Sequence, residues 1–421
     1  MDKIVIEGGL TLSGEIKISG AKNSAIKLMA VCLLTDEPLE LTNMPNLRDT
    51  RSMGELLASL GVSVKTENDA SRMTLHAKTL SSTTAPYELV RKMRASFNVL
   101  GPMLAREHQA KVSLPGGCAI GARPVDLHLD ALKALGADIE LSEGYVYAKA
   151  KGGLVGANIT FPFISVGATE HTMLAAVLAK GETVLNNAAR EPEIIDLADC
   201  LNAMGAKITG AGRSEMRIEG VTKLKGVSYA VVPDRIEAGT YALAAATAGG
   251  SVRLLNVRSE HLGALWPLIA KAGTKVTMDE NSVLVERLGT PILPVDVETQ
   301  AYPGFPTDLQ AQFMAMVSLA DGVSVIRENI FENRFMHCPE LVRMGANITV
   351  KGREAIIRGV KSLKGAQVMA TDLRASASLV AAGLAAEGTT EVLRVYHLDR
   401  GFEHIEVKLG NCGARIKRVA E

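Results

Sequence analysis

Apolar and polar positions along this chain recur with a period of about 70 residues. A short pattern, apolar-Gly-small-x-apolar, appears six times, as LGVSV, LGADI, MGAKI, AGTKV, MGANI and CGARI. Its glycines are Gly61, Gly136, Gly205, Gly273, Gly345 and Gly413, with neighbours 75, 69, 68, 72 and 68 residues apart. In each copy a helical pattern precedes the glycine and an alternating one follows it. The glycine is therefore expected to close a helix and open a strand.

Each repeat also carries an earlier segment rich in Ala, Met and Leu: NSAIKLMAVCLL, RASFNVLGPMLA, ATEHTMLAAVLA, EAGTYALAAATA, DLQAQFMAMVSLA and RASASLVAAGLAA. Apolar residues in these segments fall at helical spacing, and small side chains permit close packing, so buried helices are predicted. Several are followed by a glycine turn and a β-rich run, such as GETVLNN, GGSVRLLNV and EGTTEVLRV. A second helical pattern then leads to the Gly motif. The repeat thus reads β-α-β-α-β, an α/β class. Six repeats fit a ring, a solenoid or two groups of three. Buried helices with short strands favour compact lobes of three repeats, with a seam near Val231-Val232-Pro233.

Composition agrees with large cores filled by small aliphatic side chains: 47% of residues are hydrophobic and 4% aromatic. The 46 basic residues balance the 46 acidic ones, so net charge recruits neither nucleic acid nor an anionic membrane. The five cysteines, at 32, 118, 200, 338 and 412, have no zinc or disulfide spacing and suit a reducing compartment. The N-terminal MDKIVIEGGL lacks an apolar signal region, and no stretch has the apolar length of a membrane span. A cytoplasmic protein is expected.

Cations stand where the helix dipole disfavours them. Lys22, Arg94 and Arg374 fall at the predicted starts of buried helices, which suggests an anionic ligand there. Asn23, Thr307 and Asp372 suit N-caps. The run Pro115-Gly-Gly-Cys-Ala-Ile-Gly-Ala-Arg-Pro124 has no helical or strand periodicity and reads as a loop. Its glycines allow close approach to a ligand, and Arg123 near Cys118 favours the thiolate. A phosphate-loop motif, a dinucleotide fingerprint and metal-ligand histidine spacing are all lacking. Neither a cofactor nor a metal is expected.

Nine motifs, in order, carry a resemblance that spans the chain: SGAKNS, MRASFNVLGP, PGGCAIGARPVDLHL, SVGATE, AAREPEIIDLA, FPTDLQAQ, ENRFMHCPEL, ATDLRASASLV and HLDRGFEH. The chain resembles the UDP-N-acetylglucosamine 1-carboxyvinyltransferases, the enolpyruvyl transferases that open peptidoglycan synthesis. The resemblance implies a two-lobed inverse α/β barrel, with six repeated β-α-β-α-β-type units, three per lobe. It places residues 1–20 with 232–421 in one lobe and 21–231 in the other, with the Cys118 loop as a lid and the active site in the cleft between lobes.

It also implies that phosphoenolpyruvate reacts with the 3′-hydroxyl of UDP-N-acetylglucosamine, releasing phosphate. Cys118 would donate a proton or form a pyruvate adduct, the target of fosfomycin. Asp308 would face the sugar hydroxyl. Lys22, Arg123 and Arg400 would clamp phosphoenolpyruvate, with Asn23 and Arg94 beside them or on the nucleotide sugar. The nucleotide-sugar pocket would take Arg123, Pro124, Val125, Asp126 and Leu127, then Phe163, Ile164, Ser165 and Val166, and Ile330. Phe161-Pro162-Phe163-Ile164 stands where some members carry a lysine, so contacts there would be through backbone. Roles in cell-wall biogenesis, cell shape and division would follow. A regulatory paralogue that binds the nucleotide sugar without catalysis would have lost Cys118 or Asp308, and both are present. The RNA 3′-terminal phosphate cyclases share a similar repeat fold, but the zero net charge and the GGC loop argue against that reading.

Overall fold

In a computed structural model, residues 2–115 and 125–420 are described. The chain divides into two units. One joins the segment up to Ser19 to the residues from Pro233 onward, and is called here the C-terminal unit. The other, the N-terminal unit, holds the described residues between Gly20 and Val232. Each has its own apolar core.

The described strands form six four-stranded sheets, three in each unit, and all six share one topology. A strand pairs parallel with the one that follows the first helix, which pairs antiparallel with the inner of two final strands. In the sheet built from Asn158–Thr160, Glu182–Asn186, Lys207–Thr209 and Glu215–Glu219, the second strand pairs with the fourth and the fourth with the third. The repeat is therefore β-α-β-α-β-β: the Gly motif opens a hairpin rather than a single closing strand, except after Gly413, where Asp2–Glu7 supplies the other strand. All six motif glycines adopt φ between 87° and 101°, where a Cβ would be strained. That requirement is why the motif is visible in the sequence.

The N-terminus completes sheets of the C-terminal unit. Asp2–Glu7 lies between Thr389–Leu393 and Arg415–Ala420, antiparallel to both. Leu12–Lys17 pairs parallel with Gly250–Leu255. The first helices of the repeats are α1 (Lys22–Val31), α2 (Leu100–Glu107), α3 (Val166–Ala176), α4 (Arg235–Ala248), α5 (Gln310–Val317) and α6 (Ala375–Ala385). In the C-terminal unit α4, α5 and α6 pack on one another. Every residue from Ile236 to Thr247 in α4, and from Ala375 to Leu384 in α6, is buried. Ala, Gly and Ser bring these backbones close; a Cβ on Gly239 would lie 2.5 Å from Leu309.

All three cap assignments change. Asn23 is the second residue of α1, whose N-cap is Ala21 with no side-chain cap bond. Thr307 opens a 3-10 turn, and its hydroxyl donates to Glu328 instead. The N-cap of α6 is Arg374, without a side-chain cap bond; Asp372 stands two residues earlier, where its Oδ1 accepts from the backbone N–H of Arg374 and Ala375, at 2.8 and 3.0 Å.

Candidate active site

Asp308 belongs to the turn Thr307–Leu309 that leads into the buried α5. Its backbone carbonyl accepts from the Gln312 amide at 3.1 Å, and the same amide donates to the Thr240 hydroxyl at 2.9 Å. The carboxylate lies between two cations. Arg334 Nη2 donates to Oδ1 at 2.9 Å, and Arg374 Nε is 3.4 Å from Oδ2. Burial opposes the charge on Arg334, but Asp308 and Asp372 outweigh it and raise its pKa above the ordinary arginine value.

Arg374 is 2% exposed, and none of its guanidinium nitrogens has a hydrogen-bond partner. Its Cζ lies 5.5 Å from the centre of the Phe402 ring. A buried guanidinium with unspent donors is an anion site in waiting, because the desolvation cost is offset only when those donors are used. Arg400 closes the 3-10 turn Val395–Arg400, two residues from Phe402. Glu328, fully buried, accepts from the hydroxyls of Thr299 and Thr307 and from the backbone N–H of Ile330 and Phe331, all between 2.9 and 3.0 Å. One carboxylate thus fixes both the residue before Asp308 and the turn presenting half-exposed Ile330. His337 is buried nearby, and burial first, then Arg334, brings its pKa down to about 4 against the opposing pull of Asp372. It is neutral at pH 7.

In the N-terminal unit, Lys22 is the first residue of α1, and its Nζ lies 3.1 Å from Asp49 Oδ2, both side chains being largely buried. Asp49 sits in the first turn of the helix Arg48–Ser59. A turn further along α1, buried Lys27 pairs with buried Glu170 of α3, and Ser24 donates to Asp196. Arg94 opens the 3-10 turn Arg94–Val99 that runs into α2. Ser165 caps α3 through its hydroxyl, which accepts from Ala168 N–H at 3.3 Å. Phe163 and Ile164 before it are exposed.

Val125 is the N-cap of the helix Asp126–Ala134, which packs against α3. A Cβ on Gly167 would meet the His128 ring at 3.3 Å. The fold therefore makes neighbours of the 125–128 and 165–167 stretches, two parts of the pocket implied by the sequence. Cys118, Arg123 and Pro124 lie outside the described residues. The other four cysteines are buried. Burial raises all four thiol pKa values, that of Cys338 to about 12. None of them is a nucleophile at neutral pH.

Of the residues selected from sequence, Lys22, Asn23, Arg94, 125–127 and 163–166 belong to the N-terminal unit. Asp308, Ile330 and Arg400 belong to the C-terminal one. Sequence reasoning did not select Arg334, Glu328 or Asp49, and noted Arg374 only as a cation at a helix start. The motifs ENRFMHCPEL and ATDLRASASLV held the signal for Arg334 and Arg374.

Comparison with known proteins decides the family. A profile of the EPSP synthase (3-phosphoshikimate 1-carboxyvinyltransferase) family matches residues 6–409. The UDP-N-acetylglucosamine 1-carboxyvinyltransferase of Maricaulis maris is 66% identical over the whole of both chains. That of Hyphomonas neptunium is 64% identical over 99% of each. The chain belongs to the UDP-N-acetylglucosamine 1-carboxyvinyltransferase family. As a member of that family it is an enolpyruvyl transferase, a transferase of peptidoglycan synthesis. Solved structures of enolpyruvyl transferases share its fold: NikO of Streptomyces tendae has a TM-score of 0.89 at 24% identity, covering 100% of this chain and 99% of that one. EPSP synthase of Acinetobacter baumannii has a TM-score of 0.76 at 17% identity, with both chains fully covered. The six-unit enolpyruvyl transferase fold expected for this family is thus present, with three sheets in each unit.

Proposed function

We propose that this chain transfers the enolpyruvyl group of phosphoenolpyruvate to the 3′-hydroxyl of UDP-N-acetylglucosamine and releases phosphate. The observation that carries the reading is full-length identity of 66% to a protein of that name. The pairing of Asp308 with Arg334 and Arg374 supplies the chemistry.

Asp308 accepts the proton of the sugar hydroxyl, and its arginines keep it a charged acceptor. The hydroxyl oxygen bonds to C2 of phosphoenolpyruvate while Cys118 gives a proton to C3. Loss of a proton from C3 then restores the double bond as phosphate departs. Lys22, Arg123 and Arg400 hold the phosphate and carboxylate, and the unspent donors of Arg374 join them. Asn23 and Arg94 complete this group. Val125, Asp126, Leu127, Phe163, Ile164, Ser165, Val166 and Ile330 hold the nucleotide sugar, with Arg123 and Pro124. Cys118 is also the nucleophile for a pyruvate adduct and for fosfomycin.

The reaction belongs in the cytoplasm, and its product feeds cell-wall growth, hence cell shape and division. Among the described residues no helix is long and apolar enough to cross a membrane.

The test is phosphate release from phosphoenolpyruvate, with and without UDP-N-acetylglucosamine. Release only with the nucleotide sugar is expected, and release without it, or none with both, overturns the reading. Cys118→Asp is expected to keep turnover and lose fosfomycin sensitivity; retained sensitivity removes Cys118 from that role.

A further inference from the structure

Ser19 is the residue at which the chain leaves the C-terminal unit, and Pro233 is where it returns. The two strands are paired there, since Asp234 N–H donates to the Ser19 carbonyl at 2.9 Å. Ser19 is also bound at every other polar atom. Its N–H donates to Glu237 Oε2 at 2.7 Å. Its hydroxyl donates to Glu403 Oε2 at 2.7 Å and accepts from Lys408 Nζ at 2.7 Å. Lys408 donates again to Glu237 Oε1 at 2.7 Å. The Glu237 side chain is 3% exposed and that of Lys408 18%.

Glu403 and Lys408 follow Arg400 on the same short stretch. The other flank of that stretch is held by Arg418, which donates to Asp399 Oδ1 at 2.6 Å and to Glu406 Oε1 at 2.9 Å. Between these anchors, a Cβ on Gly401 would lie 2.0 Å from Leu373, and Phe402 faces Arg374. Arg400 therefore rides on a segment fixed on one side to the C-terminal strand and on the other to the chain crossing. A buried ion pair is a costly way to hold two elements together, and an apolar contact would serve stability as well. What the ionic network supplies is direction: four short bonds converge on one serine and fix one geometry.

We propose that Ser19 and Lys408 are positioning residues for Arg400. They act through Glu403 and the helix Ile405–Gly410, setting where the guanidinium stands relative to the crossing. The inference rests on the reading of Arg400 as a contact for phosphoenolpyruvate. The variants are Ser19→Ala, the charge-free pair Glu237→Gln with Lys408→Met, and Lys408→Arg, all in the full chain. Phosphate release is followed with each substrate varied in turn, alongside thermal unfolding.

The expected result is a KM for phosphoenolpyruvate raised about three- to tenfold in Ser19→Ala and in the pair. The KM for UDP-N-acetylglucosamine stays within about twofold, and Lys408→Arg restores most of the difference. A merely structural role would lower the melting temperature and leave both KM values in place. A KM for phosphoenolpyruvate within about twofold of wild type in both variants overturns the proposal. If wild type itself releases no phosphate with both substrates, the reading of the reaction fails instead.

Discussion

Arg334 reaches across 26 residues of chain to Asp308, with Nη2 2.9 Å from Oδ1. The pairing leaves Oδ2 facing Arg374 and holds the carboxylate in one orientation. A carboxylate gripped in this way is poised to face a hydroxyl rather than to rotate in solvent. Asp308→Ala is expected to lower turnover by about 100-fold or more while leaving nucleotide-sugar binding measurable by calorimetry. Near-normal turnover would remove Asp308 from the chemistry.

Arg374 separates stability from function. Its guanidinium is buried with no hydrogen bond made, and the ion pair with Asp308 offsets only part of the desolvation cost. Arg374→Met is expected to change stability by no more than about 1 kcal/mol, since Arg334 still pairs with Asp308 and the relieved desolvation offsets the lost contact. The same variant should lose about 100-fold or more in phosphate release. Denaturant unfolding and the release assay, run on one preparation, check both halves.

The Lys27–Glu170 pair joins α1 to α3 out of reach of solvent. Burial raises the Glu170 pKa, with Lys27 opposing. Lys27→Met would leave that carboxylate without its partner and is expected to cost about 3–5 kcal/mol in urea unfolding. Adding Glu170→Leu should recover most of the loss. A double variant as unstable as the single one would show that the pair itself, not the orphaned charge, carries the stability.

His171 should shape the acid limb of stability. Burial, and then Lys27, lowers its pKa from 6.5 to about 3. Its Nε2 accepts from Gly101 N–H at 2.7 Å, and its Nδ1 lies 3.0 Å from His128 Nδ1, so the folded ring is neutral. The unfolded chain takes up the proton first as pH falls. The contribution is thus whole above about pH 6.5 and is lost as pH drops toward 3. His337, lowered to about 4, acts in the same direction. His171→Asn is expected to flatten the dependence of stability on pH by roughly 1 kcal/mol per unit between about pH 4 and 6. Urea midpoints across that range provide the check; an unchanged slope would count against it.

Legibility followed the range of the interaction that sets each feature. The six glycines were readable because a positive φ at a helix end is a local demand that one residue type meets. The buried helices were readable because Ala, Met and Leu recur at helical spacing. The hairpin that follows five of the six glycines was read as one strand, since its second strand lies beyond a turn and returns to the inside of the sheet; after Gly413 that inner place is taken by Asp2–Glu7. Asn23 lies two positions past the cap: a polar residue at a helix start looks like a cap, yet Ala21 holds that place. The pairing of Arg334 and Arg374 on Asp308 is tertiary, and no spacing announces it. The place of Asp2–Glu7 came from family resemblance, because nothing in its own pattern names partners almost 400 residues away.

That placement has a consequence for synthesis. Asp2–Glu7 is an inner strand of its sheet, and Asp2 stands opposite Ala420. Residues 2–7 must wait for a strand more than 400 positions later before their sheet can close, which makes this the pairing of longest range among the described residues and the natural late step of folding. It also means that Asp2 and Ala420 already meet on paired strands. A short linker from Ala420 to Asp2, with new ends cut in the exposed Asn68–Ala70 turn, should give a circular permutant that keeps the sheet and closes it early.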